Sequence, residues 1–195
     1  MKLKILSKWP SMLIVSILII TTALIVYTYS YSKNSNSIPR TDFSKKIELV
    51  IPSRIVIPKI NVNAAIESVG LTTKGEVGVT EGPSNAAWFN ASPTPGEIGN
   101  SVIDGHSGWK DGTPAVFDDL HNLTEGDKIY VENQKGDTIT FIVRSLQIYG
   151  KNENTSSIFI SNDGIAHLIL ITCSGPWNKY KKSSYDRLVV FSDKE

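Results

Sequence analysis

The chain contains a single cysteine, Cys173, which closes the apolar run Leu168-Ile169-Leu170-Ile171-Thr172, and Arg187 opens another, Leu188-Val189-Val190-Phe191, fourteen residues later. Paired as neighbouring antiparallel strands, the two runs bring the end of the first beside the start of the second, so a thiol and a guanidinium share one sheet edge. A thiol of ordinary pKa, about 8.5, is only a few per cent thiolate at neutral pH and needs a base or a cation beside it. Upstream, Val102-Ile103-Asp104-Gly105-His106-Ser107-Gly108-Trp109 puts a histidine at the mouth of a third apolar stretch. His106 suits the acid/base work, and the permanently charged Arg187 suits the oxyanion of a tetrahedral intermediate. Nucleophile, base and oxyanion donor describe acyl transfer of the cysteine-protease or transpeptidase kind.

Each of the three has an ordinary alternative when taken alone. A cysteine at a strand end is commonly an inert core residue, a loop histidine is commonly held by local hydrogen bonds, and Arg187 has Asp186 beside it for an ion pair. Together they favour a reaction centre. Asp104 lies near His106, but Gly105 and the turn between them argue against a triad, and it is not counted as a member. His121 sits in a polar surround that reads as solvated, and His167 is six residues before Cys173, about 20 Å along an extended strand, too far to serve as its base. The three histidines are too dispersed for a metal spacing and no cysteine pair exists, so neither a metal nor a cofactor is expected.

Elements must hold these residues in place. At 195 residues, 41% hydrophobic and 20% charged, the chain has the composition of one globular domain with accessories, and a net charge of +1 gives no reason to expect nucleic acid as a partner. Ser11 to Tyr29 is uncharged and apolar-rich over nineteen residues, enough to cross a hydrocarbon core of about 30 Å as a helix. Lys2, Lys4 and Lys8 before it favour a cytoplasmic N-terminus and an exported body. The expected organisation is a cytoplasmic segment over 1–10, a transmembrane signal-anchor over 11–31, a polar extracellular stalk over 32–47 and a folded domain over 48–195. A lone cysteine in an exported domain forms no internal disulfide, so Cys173 is buried, reactive or intermolecular.

Within the domain, short β-branched runs with turn punctuation predict about eight strands: 54–58, 62–69, 78–80, 101–104, 127–132, 138–149, 166–172 and 187–192. In Thr138 to Tyr149 the apolar phase changes near Arg144, which predicts a bulge, and Asn133-Gln134-Lys135-Gly136 reads as the hairpin loop before it. Helix is expected only in short pieces such as 113–120. The fold class is all-β, a closed or nearly closed barrel behind an N-terminal transmembrane helix.

At these residues the chain resembles the sortase family, membrane-anchored cysteine transpeptidases of Gram-positive bacteria. The family pattern is a strand ending in Thr-Leu-x-Thr-Cys, a histidine after a glycine, and an arginine opening the last strand. Leu170-Ile171-Thr172-Cys173, Gly105-His106 and Arg187 stand in those places, with Ile169 replacing the first Thr. The likeness extends over Pro95-Gly96-Glu97-Ile98-Gly99-Asn100, Phe117-Asp118-Asp119-Leu120 and Tyr185-Asp186-Arg187-Leu188-Val189-Val190, and the spacing from Pro95 to Leu123 is most similar to the smaller class D to F members.

The resemblance implies an eight-stranded sortase-type barrel. In it Cys173 attacks the Thr-Gly bond of an LPXTG-like C-terminal sorting signal and passes the acyl group to an amine of a peptidoglycan precursor or a pilin. It implies His106 as acid/base and Arg187 as oxyanion or substrate-positioning donor, with Thr172 and Ser107 as substrate contacts. The segment 151–164 corresponds to the loop that shapes the sorting-signal groove in the family. Two other readings stay open: a membrane-tethered β-barrel binding module with a structural cysteine, and a cysteine hydrolase that transfers only to water.

Overall fold

In a computed structural model the described residues are 9–34, 51–150, 153–175 and 186–195, with side chains of the first segment described from Ile19 to Tyr31. The chain divides into two compact units, Met1–Ile47 and Glu48–Glu195. The first contains the helix α1 (Trp9–Asn34), 26 residues long. Among the described residues no helix is long and apolar enough to cross a membrane; the side chains of Ser11 to Leu18, the first part of the apolar stretch, lie outside them. The segments 1–8 and 35–50, which hold most of the expected cytoplasmic end and stalk, also lie outside the described residues.

The second unit is an eight-stranded closed barrel. Its strands are β1 (Pro52–Ile57), β2 (Val62–Val69), β3 (Ala86–Phe89), β4 (Gly99–Gly105), β5 (Lys128–Asn133), β6 (Thr138–Tyr149), β7 (Ala166–Ser174) and β8 (Asp186–Lys194). They close in the order β1-β2-β3-β4-β7-β8-β6-β5, with β2/β3 and β4/β7 parallel and the other pairs antiparallel. A short helix, α2 (Ser156–Phe159), lies in the connection from β6 to β7.

Alternation sorts the side chains into two clusters. Ile103 of β4, Leu168 and Leu170 of β7, and Leu188 and Val190 of β8 fill the interior with Phe117, Phe141 and Trp88. The opposite faces of the same strands carry Val102, Ile169, Ile171, Val189 and Phe191, which pack outside the barrel with Tyr149 and with Ile158 of α2. Buried on both faces, β4, β7 and β8 read as nearly unbroken apolar runs, which is why they are visible in the sequence.

Three local expectations meet the structure differently. The phase change in β6 is a register shift against β8 between Val143 and Ser145, as a bulge requires. The expected strand over 78–80 is a loop, and the third strand is Ala86–Phe89. Ala-Ala-Trp-Phe lacks β-branched residues; pairing with β2 and β4 and the burial of Trp88 at 2% exposure override weak propensity. The expected helical piece over 113–120 is absent: 3₁₀ turns occupy Lys110–Gly112 and Leu120–Asn122 with turn between them. There the Asp118 carboxylate accepts the N–H groups of Gly108 at 2.6 Å and Ala115 at 2.8 Å, a side-chain alternative to a helical ladder.

Candidate functional site

β7 and β8 pair so that Cys173 lies directly opposite Arg187. Both side chains are half-buried. They sit on the outer face at the end of the ladder, beyond the apolar pairs of Ile169, Ile171, Val189 and Phe191. Arg187 donates from Nη1 to the carbonyl of Asp186 at 3.1 Å.

His106 follows the last residue of β4, and its neighbour Gly105 fixes how it leaves the strand. A Cβ at Gly105 would run into the ring of Phe117 and the side chain of Val116, so only glycine lets the interior phenylalanine press against this backbone. The Phe117 N–H donates to the His106 carbonyl at 2.9 Å, and Asp118 holds the loop on either side. The His106 ring lies 4.7 Å from the Trp109 ring, centroid to centroid, and its Nε2 is 2.9 Å from the Thr80 carbonyl. A carbonyl can only accept, so Nε2 carries a proton and Nδ1 is left for acid/base work.

Thr172 ties the two halves together. Its hydroxyl donates to the Gly105 carbonyl at 2.7 Å, bracing the backbone before His106 against the residue before Cys173. At 2% exposure with its donor committed, it acts as a brace within the site. His106, Ser107, Trp109, Phe117, Thr172 and Cys173 line a common cavity of about 870 Å³. Among the described residues no hydrogen bond joins the His106 ring to the sulfur; the two groups face one shared space.

Electrostatically the thiol is held in its neutral form. Burial pushes the Cys173 pKa up, Arg187 pulls it down, and Asp104 pushes it up again. Asp104 itself is pushed to about 7 by burial, against the pull of Arg187. Among the described residues no group of three or more His, Cys, Asp or Glu is arranged to hold a metal ion.

Of the residues singled out in the sequence, Cys173 and Arg187 meet by register, and His106, Ser107 and Thr172 share the cavity with Cys173. His121 lines the cavity as well, with Nδ1 3.1 Å from the Asp118 carbonyl. His167 is at the far end of β7, paired with Asp193. The carbonyl of Thr80, the ring of Trp109 and the carboxylate of Asp118 escaped the sequence reading as parts of the site. No local pattern links Thr80 to a histidine 26 residues away. The aspartate two residues before His106 was weighed only as its partner.

The family model of the sortase domain matches residues 55–195. Among solved structures, the chain is similar to a lid mutant of sortase A from Corynebacterium diphtheriae, at 28% identity and a TM-score of 0.58 over 75% of this chain and 70% of that one. It is similar to sortase C-1 from Actinomyces oris at 28% identity and a TM-score of 0.57 over 76% of each chain. A sortase C2 of Group B Streptococcus pilus island 1, at 24% identity and a TM-score of 0.58 over 77% of this chain and 76% of that one, shares the fold. No curated protein matches the chain.

Proposed function

This chain belongs to the sortase family, and from that premise we propose that it cleaves an LPXTG-like sorting signal at the Thr-Gly bond and transfers the acyl group to an amine acceptor. The observation that carries the reading is the register pair Cys173–Arg187 beside a cavity that Cys173 shares with His106. His106 takes the thiol proton at Nδ1 while Nε2–H stays on the Thr80 carbonyl. The thiolate attacks the threonine carbonyl carbon, and Arg187 donates to the oxygen that gains the charge. The imidazolium returns its proton to the departing glycine amine, leaving a thioester on Cys173. An amine of a peptidoglycan precursor or a pilin then attacks the thioester, loses its proton to His106, and expels the sulfur.

The uncharged stretch Ser11 to Tyr29 within the 26-residue α1 supports a single-pass anchor in the cell membrane with the barrel outside. Membrane fractionation of the full chain against a chain lacking residues 1–34 tests this, with only the full chain expected to pellet with the membrane.

Incubation of the barrel with a library of LPXTG-type peptides, followed by intact-protein mass spectrometry, tests the chemistry. The expected result is an acyl adduct on Cys173 that an added amine such as triglycine discharges into a ligated peptide. No adduct with any peptide, or cleavage retained in Cys173→Ala, would overturn the proposal. An adduct discharged only to water, at every amine concentration, would leave a hydrolase.

A further inference from the structure

Asp104 is a titratable group beside the sulfur that acyl transfer, as described, leaves without a task. It shares the outer face of β4 with Val102 and lies opposite Ile171 in the parallel β4/β7 pair. Cys173 is the next outward position on β7, and Arg187 is opposite Cys173 on β8. With neighbouring strands about 4.8 Å apart, carboxyl, thiol and guanidinium stand on one patch of sheet. Asp104 is half-buried, and among the described residues its carboxyl receives no hydrogen bond, from His106 or from any other group. A carboxyl sunk into a protein without donors keeps its charge at a cost, and the charge it answers to here is the guanidinium.

We propose that Asp104 is a positioning residue that acts through Cys173: its charge, on the same outer face, keeps the sulfur a thiol until a peptide covers the patch. The proposal takes Cys173 and Arg187 as nucleophile and oxyanion donor and so rests on the transpeptidase reading. Ionised Asp104 draws on the positive charge of Arg187 and opposes a second negative charge on the sulfur, and both effects disfavour the thiolate. A peptide laid across the patch removes the remaining water from Asp104 and favours uptake of a solvent proton. The carboxyl then becomes neutral, and the positive charge of Arg187 acts unopposed on the thiolate and the oxyanion. Among the described residues the other ionisable groups around the patch are His106 at the end of β4, Tyr149 of β6 opposite Arg187, and the carboxylates of Glu153 and Asp186 beside Gly150; β3 contributes only Ala87 opposite Asp104.

The test is the pH dependence of Cys173 alkylation by iodoacetamide, followed by mass spectrometry, in the wild-type chain, D104N, H106Q and H106Q/D104N. If Asp104 ionises next to the thiol, the logarithm of the rate in the wild type and in H106Q rises with unit slope at low pH, falls below unit slope between about pH 6 and 8, and returns to it above. The departure from unit slope disappears in H106Q/D104N, and at pH 8 the D104N variants react about two- to three-fold faster than their parents. Parallel lines of unit slope with and without Asp104 would overturn the proposal. D104T, read in the same way, replaces D104N should the asparagine variant fail to fold. The assay contains no sorting peptide, so its failure is separate from failure to cleave one.

Discussion

The β7/β8 ladder carries an ionisable pair at each end, His167 opposite Asp193 and Cys173 opposite Arg187. At the first, His167 is 3% exposed, with Nδ1 2.7 Å from Asp193 Oδ1 and Nε2 2.9 Å from Asp163 Oδ2. Ionised carboxylates only accept, so both ring nitrogens donate and neither is left for a substrate. Asp163 also accepts from the Ile165 N–H at 3.0 Å and the Ser161 hydroxyl at 2.8 Å; with the Ile165 bond leading, these donors hold its carboxyl down at about 2. At the second end the carboxyl of Asp104 has no donors among the described residues and is pushed up to about 7 by burial. One ladder thus supports two regimes: saturated valences give a fixed joint, and unsaturated ones leave capacity for a reaction.

Substitutions at the two ends should separate activity from stability. Cys173→Ala is expected to reduce peptide cleavage by at least ~10³-fold while leaving the melting temperature unchanged, read by peptide turnover and thermal unfolding. Gly105→Ala forces a methyl into Phe117 and Val116, so it should cost about 2 kcal/mol and reduce turnover as well, because the strained backbone carries His106. His167→Gln reverses the first pattern: a loss of about 2 kcal/mol in chemical denaturation with kcat/KM within about two-fold of wild type would confirm that this end is a joint. An equal loss of activity would break the comparison. Thr172→Val, which leaves the Gly105 carbonyl without its donor, should cost about 1 kcal/mol and lower kcat more than it raises KM.

The two carboxyls are distinguished by the sign of their effect. Asp104 has a folded pKa of about 7 against an ordinary 3.8, so the folded chain keeps a proton that the unfolded chain has lost, and stability falls as pH rises between those values. Asp104→Asn should therefore melt above the wild type at pH 8, with the gap closing toward pH 4. Asp163 is displaced the other way, from 3.8 to about 2, and its contribution is present above the ordinary value and lost as pH falls toward 2. Asp163→Asn should melt below the wild type at pH 6, with that gap closing toward pH 2. Thermal melts across pH with the same sign for both variants would contradict the contrast.

Strands buried on both faces were legible in the sequence because their composition is apolar throughout, and the facing of Cys173 and Arg187 followed from one antiparallel pairing. Ala86–Phe89 was not, because it is only four residues long, carries no β-branched residue and opens on two alanines, which form a strand here through pairing with neighbouring strands. The Thr80 carbonyl on His106 was hidden for a related reason: a backbone oxygen carries no residue identity, and the loop that presents it is positioned by tertiary contacts. Asp104 was visible but weighed against the wrong partner. Proximity in sequence pointed to His106, whereas the alternation of β4 turns the carboxyl toward the face shared with Cys173 and Arg187.

The strand order also governs when the thiol acquires its surroundings. β8 lies between β7 and β6 and follows both in the chain, and β4, which precedes His106, pairs with β7 more than sixty residues later. The β6/β8 and β4/β7 contacts join distant parts of the chain, so they form late in folding, after the local pairings β5/β6 and β7/β8. A nascent or truncated chain without β8 therefore displays Cys173 on an open edge strand without Arg187, competent to aggregate but not to react productively. Barrel closure is thus a checkpoint on reactivity: the same step that seals the sheet assembles the chemistry.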